Sequence, residues 1–475
     1  MHVHLIGVCG TGMGSLAGLL AKAGNRVTGS DTAFYPPMSD ALIRWGIETY
    51  QGFSASHLEP APDLVVVGNV CRPDNPEAGA AIDAGLRTMS LPAVLEEFFI
   101  KGRRAFVVAG THGKTTTTAL LAYLLEATHK QPGFLIGGIP NNFDESFRSA
   151  LPAGPFVIEG DEYDSAFFEK SPKFWRYRPE VAVLNAIEHD HIDIYPDMEA
   201  YRRAFVEFVK RIPQEGLLVA FAGDGEVRAV ARHARCRVCY FALRGDACDA
   251  LPIDWLGAPQ APGEAFQRFD LYRAGAKCGS YLSPLIGDYN IRNAIAALAA
   301  AEQGASADRE ALAAALPGFR GVRRRQQLRG IARGVRVYDD FAHHPTAVAE
   351  TLKALRQRHQ AGKLIAVFEP RSATASRRAH QTAYVRAFRA ADLTLIAPVG
   401  RPEIPQAQRL DTELLAENIR ALGGRAQACE SHEQIVERVG QEARDGDTVA
   451  VMSNGAFGNI HQRIIDDLTR PRSGH

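Results

Sequence analysis

The sequence contains no run of about 18 consecutive apolar residues, the length that a membrane-crossing helix requires. It has no excess of charge of either sign. Lys plus Arg and Asp plus Glu both total 54, which argues against a nucleic-acid binder or a protein held on an anionic membrane. Cysteine is sparse, with seven residues scattered along 475, a usage that points to a reducing compartment, the cytoplasm. Cys236 and Cys239 form a lone CxxC without a second CxxC or an HxxxH pair to complete a zinc set. It therefore reads as small hydrophobes of a strand over residues 237–241. The first seven residues lack a basic n-region and run straight into a glycine loop, as expected of a domain start and not of a secretion signal. The length calls for about three domains.

What is present is organised around Gly110-Thr111-His112-Gly113-Lys114-Thr115-Thr116-Thr117. An apolar run over 105–109 precedes it and a run of good helix formers over 119–126 follows. Strand, glycine loop and helix in that order turn backbone N–H groups toward a phosphate. Lys114 supplies a charge for the β- and γ-phosphates, and the Thr115 hydroxyl is placed for Mg²⁺. The usual loop of this kind has four residues between its glycines; here there are two, Thr111 and His112.

The N-terminal part reads as a Rossmann-like unit: a strand over 3–7, a glycine loop through Gly10, Thr11, Gly12, Met13 and Gly14, and a helix over 16–23. A second strand ends at Ser30 and Asp31, and a third over 64–69 ends at Asn69. Ser15 stands where the last glycine of the dinucleotide fingerprint belongs, so a nucleotide or sugar nucleotide fits better than NAD. The basic residues Lys101, Arg103 and Arg104 read as a solvated linker. In the middle, Glu159, Asp161, Glu162 and Asp164 follow an apolar strand, where carboxylates of P-loop domains hold Mg²⁺. Glu188, His189, Asp190, His191 and Asp193 follow another strand and read as a second metal or γ-phosphate site. Residues 244–264, rich in Pro, Gly and Ala, read as irregular. Asn290 and Asn293 open an alanine-rich helix that they could cap, or they could bond a base. Arg323, Arg324 and Arg325 mark a hinge into a third unit. There, strands end in Asp339-Asp340, in Glu369-Pro370-Arg371-Ser372 and in Ser453-Asn454-Gly455. The expected fold is α/β in three domains: an N-terminal Rossmann-like domain (1–103), a central P-loop ATPase sheet with helices (104–322), and a C-terminal Rossmann-like domain (323–475).

Taken in order, these stretches resemble the Mur ligases, the ATP-dependent amide-forming enzymes of peptidoglycan synthesis. The matching residues are Gly110 through Thr115, Glu159 with Asp161-Glu162, Asn185 through His191, Asn290 and Asn293, Arg324-Arg325, and Asp339-Asp340 with His343-His344-Pro345. The short phosphate loop is the family's own form. Gly10 through Gly14 with Ser30-Asp31 resemble the branch acting on UDP-N-acetylmuramic acid. Tyr35-Pro36-Pro37-Met38, the stretch from Glu159 to Asp164, residues 368–372 and residues 452–458 resemble the members that attach L-alanyl-γ-D-glutamyl-meso-diaminopimelate to it. The sister activity, addition of L-alanine alone, has a similar framework but differs in the last two stretches. Where several family members carry a carbamylated lysine, this chain has Phe205, so no carbamate is implied.

The resemblance implies that ATP phosphorylates the lactyl carboxylate and that the peptide α-amine attacks the acyl phosphate. Lys114, Glu159, His191 and Arg325 would be catalytic, with Thr115, Glu159 and His191 as metal ligands. ATP would be held by Gly110 through Thr116, Asn293, Arg325, Asp340 and His343. The UDP-sugar would be held by Gly10, Thr11, Gly12, Met13, Ser30, Asp31 and Asn69, and the peptide by Arg371, Ser453 and Asn454. The expected partners are these two substrates, with no nucleic acid, membrane insertion or obligate protein partner. A folylpolyglutamate-type ligase and a non-catalytic nucleotide-gated sensor are the other readings; a sensor would not need acids and histidines placed for phosphoryl transfer.

Overall fold

The computed structural model describes residues 1–35, 38–263, 265–401 and 403–470; Pro36 and Pro37 of the tyrosine–proline stretch lie outside the described residues. The described residues are mixed α/β, as expected, with three large sheets and a two-stranded ribbon.

The first sheet is wholly parallel, in the spatial order Glu48–Gln51, Arg26–Asp31, His2–Ile6, Leu64–Val67, Thr88–Ser90. Its inner strands are apolar on both faces because each face is covered by helix. Val3, Leu5, Leu64 and Val66 pack with Leu16 and Leu20 of the helix Thr11–Lys22. Ile6, Val65 and Val67 pack with Ala78 and Ala81 of the helix Pro76–Asp83. The strand Glu48–Gln51 is not apparent in the sequence, since none of its residues is buried. The first helix begins at Thr11, earlier than its apolar run suggests.

The ten-stranded central sheet places Ala105–Ala109 between Phe156–Gly160 and Val181–Leu184, all parallel. Phe106 and Val108 face a cluster that includes Leu120, Leu124 and Ile295, while Ala105 and Val107 face Tyr201, Phe205 and Phe208. Residues 244–264 are not wholly irregular, because Trp255–Pro262 is a strand pairing with Arg237–Leu243 and Gln267–Arg273. Trp255 and Gly257 face inward there, a period-two signal masked by Pro259, Pro262 and the small residues between. The helix Asp288–Ala299 takes in both asparagines; Gly287 is its N-cap and no side chain caps it. Cys239 is buried in its strand, and all seven cysteines are free thiols.

The third sheet runs Gln327–Ala332, Val335–Asp340, Thr448–Met452, Leu364–Phe368, Leu393–Ile396, Ala426–Ala428, with only the first strand antiparallel. Val337, Val367 and Val451 pack with Ile460 and Ile464 on one face. Tyr338, Phe368 and Met452 pack with Val348 and Leu352 on the other. Among the described residues no helix is long and apolar enough to cross a membrane.

Candidate active site

The carboxyl end of Ala105–Ala109 opens between those of its two parallel neighbours, where such sheets hold ligands. Gly110 (φ +127°) and Gly113 (φ +78°) turn the chain into the helix Lys114–Ala127. Gly113 is its N-cap and no side chain caps it, which leaves the first-turn N–H groups for an anion. The loop is pinned from below. Thr111 N donates to Ala186 O at 2.7 Å, and Thr111 Oγ1 donates to Glu188 O at 2.9 Å.

Lys114 Nζ donates to Gly110 O at 2.6 Å and lies 3.0 Å from Glu162 Oε2, both side chains nearly out of solvent. His191 Nε2 is 3.1 Å from Glu162 Oε1, and the Tyr201 hydroxyl donates to the same oxygen at 2.9 Å. Burial alone would raise the Glu162 carboxyl, but the Lys114 charge and the His191 hydrogen bond overturn it and hold the group at about 2. Burial opposes the charge on His191, and its bond to Glu162 raises it nonetheless. His191 has a left-handed backbone, φ +52°, that aims it back at this cluster.

Thr115 Oγ1 donates to Glu159 Oε1 at 2.9 Å, and Gly137 N donates to Glu159 Oε2 at 2.8 Å. Burial, followed by the nearby Asp161 charge, pushes the Glu159 carboxyl up. Arg325, from the start of the third unit, reaches across and donates to Thr115 Oγ1 at 3.0 Å. The third unit also contacts the centre through Thr374 Oγ1, which donates to Asp190 Oδ1 at 2.5 Å.

A cavity of about 970 Å³ joins the three sheets. Thr11 and Gly12 line it from the first, Thr111 through Thr116, Glu159 and His191 from the second, and Asp340, His343 and Asn454 from the third; Asn293 and Arg325 also line it. Asn293 sits over the loop, for a Cβ on Gly113 would fall 2.4 Å from its Oδ1. Asp340 is buried and already engaged, with Oδ2 accepting from Gln326 N at 2.7 Å and Oδ1 from Ala342 N at 2.8 Å. Burial lowers the pKa of His343, so it is held neutral.

The other sequence-derived residues are not among those lining the cavity. Arg371 is about half exposed, with Nη1 3.7 Å from Glu369 Oε1, and Ser453 is buried against Glu369. Met13 and Ser30 are buried, and Gly10 and Asn69 are exposed. Asp31 braces the first glycine loop, accepting from Cys9 N at 2.8 Å and from Thr32 N at 2.7 Å. On the expectation that this loop holds the UDP-sugar, Asp31→Ala should weaken binding of that nucleotide by about tenfold while leaving ATP affinity unchanged, because it frees one charged-acceptor contact that orders the loop. Calorimetric titration of each nucleotide checks this; equal losses for both would count against it.

Sequence reasoning missed Thr374, Arg401, Tyr289 and Arg292, which also line the cavity. Only the fold brings them there, since Thr374 and Asp190 are 184 residues apart. Phe205 is fully buried, its ring 5.3 Å from Phe174 and 5.1 Å from Tyr201, so this position belongs to an aromatic core.

Three family descriptions match the chain in succession: the Mur ligase family catalytic domain over residues 2–103, the Mur ligase middle domain over 108–301, and the Mur ligase glutamate ligase domain over 323–455. The chain belongs to the Mur ligase family. Mur ligases are ATP-dependent enzymes that form amide bonds. Among curated relatives, the UDP-N-acetylmuramate–L-alanyl-γ-D-glutamyl-meso-2,6-diaminoheptandioate ligase of Escherichia coli is 38% identical over 474 residues, covering 99% of both chains. The UDP-N-acetylmuramate–L-alanine ligase of Roseiflexus is 34% identical, covering 98% of this chain and 99% of its own. The crystal structure of a murein peptide ligase from Psychrobacter arcticus superposes with a TM-score of 0.73 at 34% identity, covering 100% of both chains.

Proposed function

We propose that this chain is an ATP-dependent ligase that joins the α-amine of L-alanyl-γ-D-glutamyl-meso-diaminopimelate to the lactyl carboxylate of UDP-N-acetylmuramic acid, in peptidoglycan recycling. The observation that carries this is the end-to-end 38% identity to the Escherichia coli ligase of that name, together with a likeness to a murein peptide ligase over the whole fold. The L-alanine-adding relatives match at lower identity.

A carboxylate and a γ-phosphate are both anions, so the first step depends on positioning and charge neutralisation. Lys114 would exchange Gly110 O for the β- and γ-phosphates, and Arg325 would serve the γ-phosphate from the third unit. Glu162 then keeps the lysine charged and oriented. Thr115 and Glu159 would hold Mg²⁺, and His191 a second ion. The fit is favourable at the first position, where a hydroxyl and a half-buried carboxylate 2.9 Å apart offer hard oxygen donors. When bound, the ion compensates charge on the phosphate oxygens. Asn293 would meet the adenine, and Asp340 and His343 the ribose side. Gly10 through Met13, Ser30, Asp31 and Asn69 would hold the UDP-sugar. The acyl phosphate is then open to the amine, with Arg371, Ser453 and Asn454 on the peptide side. Asn454 Oδ1 is a buried acceptor with no partner among the described residues, which suits an amide or ammonium donor.

A panel of amine acceptors with purified protein, ATP, Mg²⁺ and UDP-N-acetylmuramic acid tests the substrate by phosphate release. The tripeptide should exceed L-alanine in kcat/KM by at least about a hundredfold. A preference for L-alanine would move the chain to the sister activity, and nucleotide binding without amine-dependent turnover would make it a sensor.

A further inference from the structure

Beside the phosphate loop, and apart from the Thr115–Glu159 pair and from His191, two imidazoles and a carboxylate converge. His112 Nε2 lies 2.8 Å and His344 Nδ1 3.2 Å from the same oxygen, Glu188 Oε2. All three donor atoms are within 4.8 Å of one another, and all three residues line the central cavity. The residues come from three separate segments. His112 stands between the two loop glycines, Glu188 follows the strand Val181–Leu184, and His344 is the N-cap of the helix Pro345–Arg358 in the third unit.

We propose that His112, Glu188 and His344 form a binding site for a borderline divalent ion of the zinc class, separate from the magnesium positions of the ligation reaction. Two neutral imidazoles and one carboxylate form the donor set of a three-ligand zinc site, with water from the cavity in the fourth position. Magnesium prefers an all-oxygen shell and would not compete there. At 2.8 and 3.2 Å the present separations are those of hydrogen bonds, so an ion would replace both contacts as the side chains part to ligand bonds of about 2.0–2.2 Å. Occupied, the site ties the third unit to the phosphate loop through His112.

The test is equilibrium binding of Zn²⁺ to chelator-stripped full-length protein against a zinc indicator, with Mg²⁺ in excess, and it makes no use of ligation activity. The wild type should take up one Zn²⁺ per chain. X-ray absorption at the zinc edge should show two imidazole nitrogens. His344→Ala and Glu188→Gln should each weaken binding at least about tenfold, since even outer-shell partners of a metal cost that much. The exposed His233→Ala should leave it unchanged, and His191→Ala should leave it within about twofold if the magnesium positions are not involved. No stoichiometric uptake by the wild type would overturn the proposal. So would binding that survives both His344→Ala and Glu188→Gln, or binding lost instead in His191→Ala. Circular dichroism of each variant separates lost ligation of the ion from lost fold.

Discussion

Lys114→Ala should lower kcat/KM for ligation by about a thousandfold or more, since it removes the charge that meets the β- and γ-phosphates. The loss should fall on kcat as well as on ATP affinity, because charge builds on the transferring group in the transition state. Phosphate release under saturating tripeptide measures it, and activity within tenfold of wild type would refute the phosphate role. The variant also removes the foremost attraction that holds the Glu162 carboxyl at about 2. A depressed carboxyl contributes stability that is complete above its unfolded value, 4.5, and is lost as pH falls through about 2. The stability gap between wild type and Lys114→Ala should thus be widest above pH about 4.5 and close toward pH about 2. Glu162 keeps His191 and Tyr201 as partners, so the variant should remain folded at neutral pH.

Gly113→Ala should also be damaging, by about a tenth as much, although it removes nothing. With φ at +78°, any Cβ costs roughly 1–2 kcal/mol in backbone strain. That Cβ would also fall 2.4 Å from Asn293 Oδ1 and 2.8 Å from Asn185 Nδ2. Asn185 Nδ2 in turn bonds His112 O and Thr117 Oγ1, each at 3.3 Å, so yielding to the methyl moves the loop itself. A displacement of about 1 Å there should cost about a hundredfold in kcat/KM. Gly24→Ala is the control: it has φ +86° and open space around its Cβ, so it should show the strain in Tm without any change in ATP affinity. A Gly113→Ala enzyme as active as Gly24→Ala would show that the loop tolerates displacement.

The phosphate loop was legible in sequence because all its causes are local: an apolar strand, two glycines, a lysine and a helix-forming run within 23 residues of one another. The other strand ends that carry acids were legible for the same reason. What escaped depends on contacts between distant segments. Thr374 reaches Asp190, and Tyr289 accepts from Gln326 Nε2 at 2.8 Å, and neither pairing leaves a trace in spacing. The acids of residues 159–164 stay near one another in the fold, but their partners differ, Glu159 bonding with Thr115 and Glu162 with Lys114, and spacing alone does not show that division. The backbone N–H groups of Gln326 and Ala342 that steady Asp340 likewise leave no mark in the sequence. Residues 255–262 were hidden because proline and small residues mute the alternation that betrays a strand.

All three sheets bring strand ends to one chamber. The chamber wall is therefore made by loops at those strand ends, which can change while the sheets behind them stay. A lineage can rework the rim contributed by the last unit, and so adopt a longer or shorter amine, without disturbing the machinery that energises the acid.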